Sequence, residues 1–220
     1  MKQILYIYVI IMSLSSCTAT SSLNKEFIYQ VELRDSLNTL ISRENVLLLL
    51  DTMPWGFDQS QFRATYSFDT SSVVPKELGI GFFCEGDKKS ELIRESTSET
   101  GYELSDSLFW IHPIRSNQYR YTEVAPFPYI KLNVEVGNTW DLSKVIGEEW
   151  CELAGETSES YILKSKNKRI NGVRCYWVSA TSKHPFGESS VDFYFNKNKG
   201  LIFTEYILSR GYKLSIILIK

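Results

Sequence analysis

The chain has 220 residues, which is one domain or at most two small ones. Its 26 acidic and 24 basic residues nearly cancel and are interspersed, so the basic excess that a nucleic-acid binder sets against phosphate is absent. A 43% hydrophobic content at low net charge excludes a disordered chain, and 13 tyrosines and 12 phenylalanines against three methionines favour pleated, half-buried surfaces over helix bundles.

The first segment, MKQILYIYVIIMSLSSC, opens with Lys2 and continues with the apolar run from Ile4 to Met12. As a helix that run reaches about 14 Å, roughly half of a bilayer's hydrocarbon thickness, so it reads as a signal-peptide core and not as a spanning helix. The next four residues, Leu14-Ser15-Ser16-Cys17, resemble the lipobox of bacterial lipoprotein precursors at all four positions. The resemblance covers these 17 residues alone. It implies cleavage before Cys17, a diacylglycerol thioether on its sulfur, and acylation (palmitate) of the new amino group. Two or three acyl chains give stable membrane residence where one gives marginal binding. Thr18, in place of an aspartate, favours the outer membrane by the same analogy. The organisation expected is therefore a signal peptide over 1–16, a lipidated flexible tether over 17–25, and a single β-rich domain over 26–220. The small polar residues Thr18 to Lys25 have a root-mean-square reach of roughly 15 Å, which keeps the domain near the membrane.

FIYQVELR, from Phe27, alternates as a strand does. NVLLLLD, from Asn45, fits a buried strand or the end of a helix beginning near Ser36, and periodicity does not separate the two. FRATYSFD and ELGIGFF read as strands, and YELSDSLFWI reads as a hairpin or a bent strand. Phe109 to Ile130 holds His112, Arg115, Arg120, six aromatics and prolines 113, 126 and 128. Proline lacks the ladder donor and restricts its predecessor, so an extended crossover is predicted here, with a short strand near Tyr119 to Glu123. Five strand runs follow at roughly ten-residue spacing from Tyr161 onward, the first two meeting at Asn171-Gly172, a type I′ hairpin signal. The fold class expected is mainly β: about ten strands in an antiparallel meander, forming a curved sheet, half-barrel or barrel, with at most one or two short helices.

No local motif carries chemistry. His112 and His184 both precede proline and stand far apart in sequence. Nothing resembles a zinc-ligand spacing or a nucleophile elbow, so no metal, cofactor or catalytic residue is assigned. Glu148, Glu149, Glu152 and Glu156 read as a solvated acidic loop, and Gly79, Gly81 and Gly86 as strand glycines. With Cys17 lipidated, Cys84, Cys151 and Cys175 remain. Three buried thiols are the leading expectation, and Cys151–Cys175 is the preferred pairing if one bridge forms. A two-residue turn at Asn171-Gly172 would pair Lys168 with Cys175, Lys166 with Trp177 and Lys164 with Ser179, building a basic and aromatic surface with Lys166 over the indole. Tyr161, Leu163, Tyr176 and Val178 would then face the core. Trp110, His112, Arg115, Tyr119 and Tyr121 are the candidate rim of a ligand site.

Three functions are compatible with this reading. The favoured one is a membrane-anchored, non-catalytic protein that binds an apolar or amphipathic ligand, a glycan or an envelope protein partner. The second is an envelope hydrolase built from scattered residues such as His112, His184 and Glu123. The third is a structural or assembly subunit without a pocket.

Overall fold

The structure, a computed structural model, describes residues 25–55, 58–68 and 95–220, with backbone alone at 58–60. The predicted signal peptide, Cys17, Cys84 and the ELGIGFF strand with its glycines lie outside the described residues.

Twelve strands form one antiparallel sheet: β1 (Lys25–Arg34), β2 (Leu40–Trp55), β3 (Asp58–Phe68), β4 (Thr97–Leu104), β5 (Leu108–Ile111), β6 (Tyr129–Lys131), β7 (Thr139–Ile146), β8 (Gly155–Ile170), β9 (Val173–His184), β10 (Gly187–Asn196), β11 (Gly200–Ile207) and β12 (Lys213–Leu218). Their order is β6-β5-β4-β3-β2-β1-β12-β11-β10-β9-β8-β7. The chain thus meanders from the middle to one edge, crosses to the other edge, and meanders back to close beside its own start. The two edge strands are joined by residues 132–138 alone. Laid flat, twelve strands would hold these edges about 53 Å apart, whereas seven residues span at most about 25 Å. The sheet must therefore curl, and it forms the half-barrel that the alternating pattern suggested. Backbone hydrogen bonds from Gly137 to Leu163 O (2.8 Å) and from Leu163 to Asn138 O (3.0 Å) tie the crossing to β8.

Alternation sends one face of every strand inward. On β1 these residues are Phe27, Tyr29, Val31 and Leu33, and on β2 Val46, Leu48 and Leu50, all buried in one continuous core. Residues 36–51 resolve as turn and strand. The Asp35 carboxylate accepts hydrogen bonds from the amides of Leu37 (2.9 Å) and Thr39 (2.7 Å), reversing the chain with Asn38 at φ 68°, so that β2 can pair back on β1. A helix there would have left one edge of β1, the one opposite β12, without a ladder neighbour.

The Asn171-Gly172 turn forms as expected, with φ of 49° and 80°, and pairs Ile170 with Val173 and Lys168 with Cys175. Beyond that point β8 carries two register irregularities, and extra residues on one strand displace every later pairing. Trp177 consequently faces Ser165, not Lys166, and Ser179 faces Ile162, not Lys164. Tyr161, Leu163 and Val178 are buried and Tyr176 packs against them, as predicted.

The short strand predicted near Tyr119 to Glu123 is a 3₁₀ helix, Asn117–Val124, every residue of which is buried. Two further 3₁₀ segments, Glu148–Leu153 and Ser209–Gly211, make three in all, and no α-helix occurs among the described residues.

Candidate functional site

The segment from His112 to Pro128 leaves β5 and turns into the concavity of the sheet, returning as β6. It is a plug. With its prolines it cannot join a ladder, so its carbonyls need donors from elsewhere. Strand side chains supply them. The Tyr66 hydroxyl donates to His112 O (2.9 Å), Ser182 Oγ to Val124 O (2.9 Å), Lys144 Nζ to Ala125 O (2.8 Å) and the Tyr161 hydroxyl to Phe127 O (3.1 Å). Thr122 Oγ1 contacts the carbonyls of Ile114 and Tyr119 within the plug itself.

Charge enters the interior with these contacts. The Glu44 carboxylate, directed inward from β2, accepts from Gln118 Nε2 (2.5 Å) and the Tyr119 hydroxyl (2.6 Å). Arg115 pairs with Glu123 (3.2 Å), Arg120 pairs with Glu152, and Lys144 pairs with Glu159 (2.8 Å), whose carboxylate also accepts the Tyr161 hydroxyl. Lys144 lies over the Phe127 ring at 3.3 Å. Burial pushes the Lys144 ammonium down, while the Glu159 carboxylate opposes the shift. Burial, with Glu159 beside it, raises the Tyr161 phenol.

Of the candidate rim, Tyr119 and Tyr121 are 0% and 2% exposed, so they are interior struts. Trp110 and His112 are half-buried and meet edge to face at 5.0 Å, and His112 also packs on Phe127 at 4.7 Å. Arg115 lies over the Trp150 ring at 5.6 Å. The five residues pack against different neighbours: Trp110 and His112 near Phe127, Arg115 on Trp150, Tyr119 on Phe68 and Tyr121 on Phe186 and Tyr212. Burial, reinforced by Arg115 and Lys144, pushes His112 down to about 3, so it is neutral at ordinary pH. His184 is likewise lowered by burial and by Lys144, against a hydrogen bond to the Leu153 backbone, and its Nδ1 accepts the Phe186 amide at 3.0 Å. Among the described residues neither imidazole hydrogen-bonds a carboxylate, hydroxyl or thiol of the kind a nucleophilic relay uses. The cavity between plug and sheet, lined by Tyr29, Leu48, Tyr66, Ile114 and Tyr206, holds ≈ 20 Å³, room for about one water. An apolar ligand would need several hundred Å³.

The outward face offers more space. A groove of ≈ 490 Å³ crosses β7, β8 and β9, lined by Thr139, Asp141, Ser160, Lys164, Ser179 and Thr181. Ser160 Oγ donates to Asp141 Oδ1 at 2.6 Å. Beside it, Asp192 accepts from Trp177 Nε1 (3.0 Å) and from Ser179 Oγ. Trp177 starts a stack across three strands, with ring centroids 5.9 Å from Trp177 to Tyr194 and 5.6 Å from Tyr194 to Phe203. The cation over the indole is Lys168, at 5.1 Å, while Lys166 reaches Glu135 at 3.4 Å. This is the consequence of the shifted register of β8. Lys164 lines the groove, so the three lysines are divided between the groove, Glu135 and the indole. The groove's hydroxyls escape a reading by motif, although SES and WVSATS display them at every second position.

The cysteine expectation is corrected on both counts. Cys175 is a free, buried thiol, in a small outer-face cluster with Tyr194 and Ile202, whereas Cys151 is disulfide-bonded. They cannot pair, because Cys151 precedes the start of β8 while Cys175 faces Lys168 near its far end, roughly 40 Å of strand away. The Glu148–Leu153 segment is also more than a solvated loop, since Glu152 holds the buried Arg120. No group of three or more His, Cys, Asp or Glu side chains is placed to hold a metal ion among the described residues. No helix among them is long and apolar enough to cross a membrane. In comparison with known proteins, no family model matches the chain and no curated protein is significantly similar to it.

Proposed function

We propose that the chain is an exported envelope lipoprotein, anchored through Cys17, whose β domain binds a hydroxyl-rich ligand of the glycan class on its outer face. The anchor rests on the apolar run Ile4 to Met12 followed at once by Leu14-Ser15-Ser16-Cys17. The observation that carries the ligand class is the β7–β9 groove. Hydroxyls and a carboxylate converge in ≈ 490 Å³ with one lysine, so both donors and acceptors face outward from rigid strands. A sugar presents the complementary set, and the neighbouring Trp177 supplies a flat apolar surface of the kind that packs against a sugar ring. Ile162 adds an apolar contact to the groove, and the plug occupies the interior where a wholly apolar ligand would otherwise lie.

Mass measurement of the protein recovered from membranes tests the anchor. The reading requires a diacylglycerol-bearing Cys17 at the new N-terminus, and loss of that added mass in the Cys17→Ser protein. Immobilised oligosaccharides test the ligand class: retention should weaken at least about tenfold in Asp141→Ala with Thr181→Val, the loss expected from one or two charge-assisted hydrogen bonds. Equal retention of both forms, or none of either, would remove the groove from consideration.

A further inference from the structure

The strand register gathers an unneutralised basic surface at one end of the half-barrel. β1 begins there with Lys25, beside Lys220 at the end of the chain, whose carbonyl accepts the Ile28 amide at 2.8 Å. The β10–β11 turn lies at the same end, since Gly200 packs against the Phe27 ring, and it contributes Lys197 and Lys199. The β8–β9 hairpin adds Arg169 and Arg174, and its tip runs well beyond β7, which ends its pairing at Thr139 opposite Ile162. These six residues are exposed, and none of their side chains forms an ion pair among the described residues. The acidic residues at this end are Glu26, Asp58, Glu103, Asp106 and Glu135, and Glu135 is engaged by Lys166.

One pairing is costly for the fold. Arg169 and Arg174 stand directly opposite each other in the ladder, an arrangement in which like charges repel. With no carboxylate between them, the favourable counter-charge has to come from outside the protein. The opposite end of the barrel differs, carrying Glu148, Glu149 and Glu152 of the 3₁₀ segment together with Glu188.

The basic end is also where the chain leaves the domain toward Cys17, with eight residues from Thr18 to Lys25 between them. Extended, these span at most about 28 Å, so an anchored domain holds this end nearest the lipid headgroups. We infer that the basic end, with the Arg169–Arg174 hairpin at its tip, is a docking face for an anionic lipid surface. This deepens the anchored reading and rests on it for orientation. Each cation is then attracted by the surface potential of the membrane, and the repulsion in the ladder is relieved on contact. Lys168 continues the basic surface along the outer face.

The test uses the full chain with Cys17→Ser, so that no acyl chain contributes, and vesicles of phosphatidylcholine with or without phosphatidylglycerol. The wild-type surface should prefer the anionic vesicles at low salt and lose that preference at high salt. Arg169→Gln, Arg174→Gln, Lys197→Gln and Lys199→Gln should each reduce it roughly fivefold. Lys183→Gln with Lys213→Gln, at the other end, should leave it unchanged. Equal partition into both vesicles, or a quadruple variant that keeps the preference, would overturn the inference. So would release by inorganic phosphate at matched ionic strength, which would mean a site for a small anion. The two readings fail separately. If the native protein carries no acyl group on Cys17 while its Cys17→Ser form prefers anionic vesicles, the anchor is removed and the face stays; if the native protein is acylated while its Cys17→Ser form is indifferent to lipid charge, the reverse holds.

Discussion

Two regions of this molecule have nearly the same ingredients and opposite fates. The plug, His112 to Pro128, and the β8–β9 hairpin both mix cations, aromatics and short polar residues. In the plug Arg120 is 2% exposed and paired, and in the hairpin Arg169 and Arg174 are exposed and unpaired. Composition does not separate them; backbone hydrogen bonding does. The hairpin has no proline and an Asn-Gly turn, so its amides and carbonyls are satisfied within the sheet and its side chains remain free to face water. Prolines 113, 126 and 128 deny the plug a ladder, and its carbonyls are satisfied by Tyr66, Lys144, Tyr161 and Ser182 reaching inward from strands. Lys144 brings a charge inside that Glu159 meets, and the plug's own Arg115 and Arg120 are met by Glu123 and Glu152.

This contrast can be broken most strongly at Lys144. Lys144→Ala leaves Glu159 buried without its cation and Ala125 O without its donor, and should cost about 3–5 kcal/mol in urea unfolding. Replacing both members, Lys144→Met with Glu159→Leu, should recover much of that loss, because no uncompensated charge is left behind. If the single variant is as stable as the parent, the plug is not held by this pair.

The next effect is a pH dependence. His112 is held near 3 in the folded state, below the ordinary value of about 6.5 that it regains on unfolding. The unfolded chain therefore takes up the proton first as pH falls. Stability from this group is complete above about pH 6.5 and declines toward pH 3 by up to about 1.4 kcal/mol per unit. His112→Gln should flatten the denaturation midpoint between pH 6 and pH 4 relative to the parent. An unchanged slope would place its origin in other groups, His184 among them, whose shift has the same sign.

The smallest effect is expected on the hairpin. Lys168→Ala removes an exposed cation from the Trp177 face and should cost about 0.5–1 kcal/mol, with a change in indole fluorescence. Lys166→Ala should leave that fluorescence as it is. The opposite ranking would mean that the regular register, without the β8 irregularities, is the one present in solution.

Much of the fold is legible in the order of the residues. Alternation marks β1, β3 and the C-terminal meander, Asn171-Gly172 locates a turn, and prolines locate the interruption between two halves of the sheet. These are local properties, set by the two-residue period of a strand and by what proline and glycine allow a backbone to do. The apolar run and lipobox belong to the same class of local signal.

The rest depends on which distant groups meet. The pattern of residues 36–51 fits helix or strand equally, and the need of β1 for a ladder neighbour decides for strand. Tyr119 and Tyr121 suit a rim by residue type, yet they are interior because the curled sheet has a concavity to fill. Lys168 displaces Lys166 over Trp177 through two irregularities in β8 that no pattern of side chains announces. Cys151 and Cys175 are close in sequence and far apart in space because a long strand runs between them. Periodicity determines which way a side chain points relative to its own strand, a property of a few consecutive residues. Closure of the sheet decides whether that direction leads to water or to the core, and closure depends on the whole chain at once.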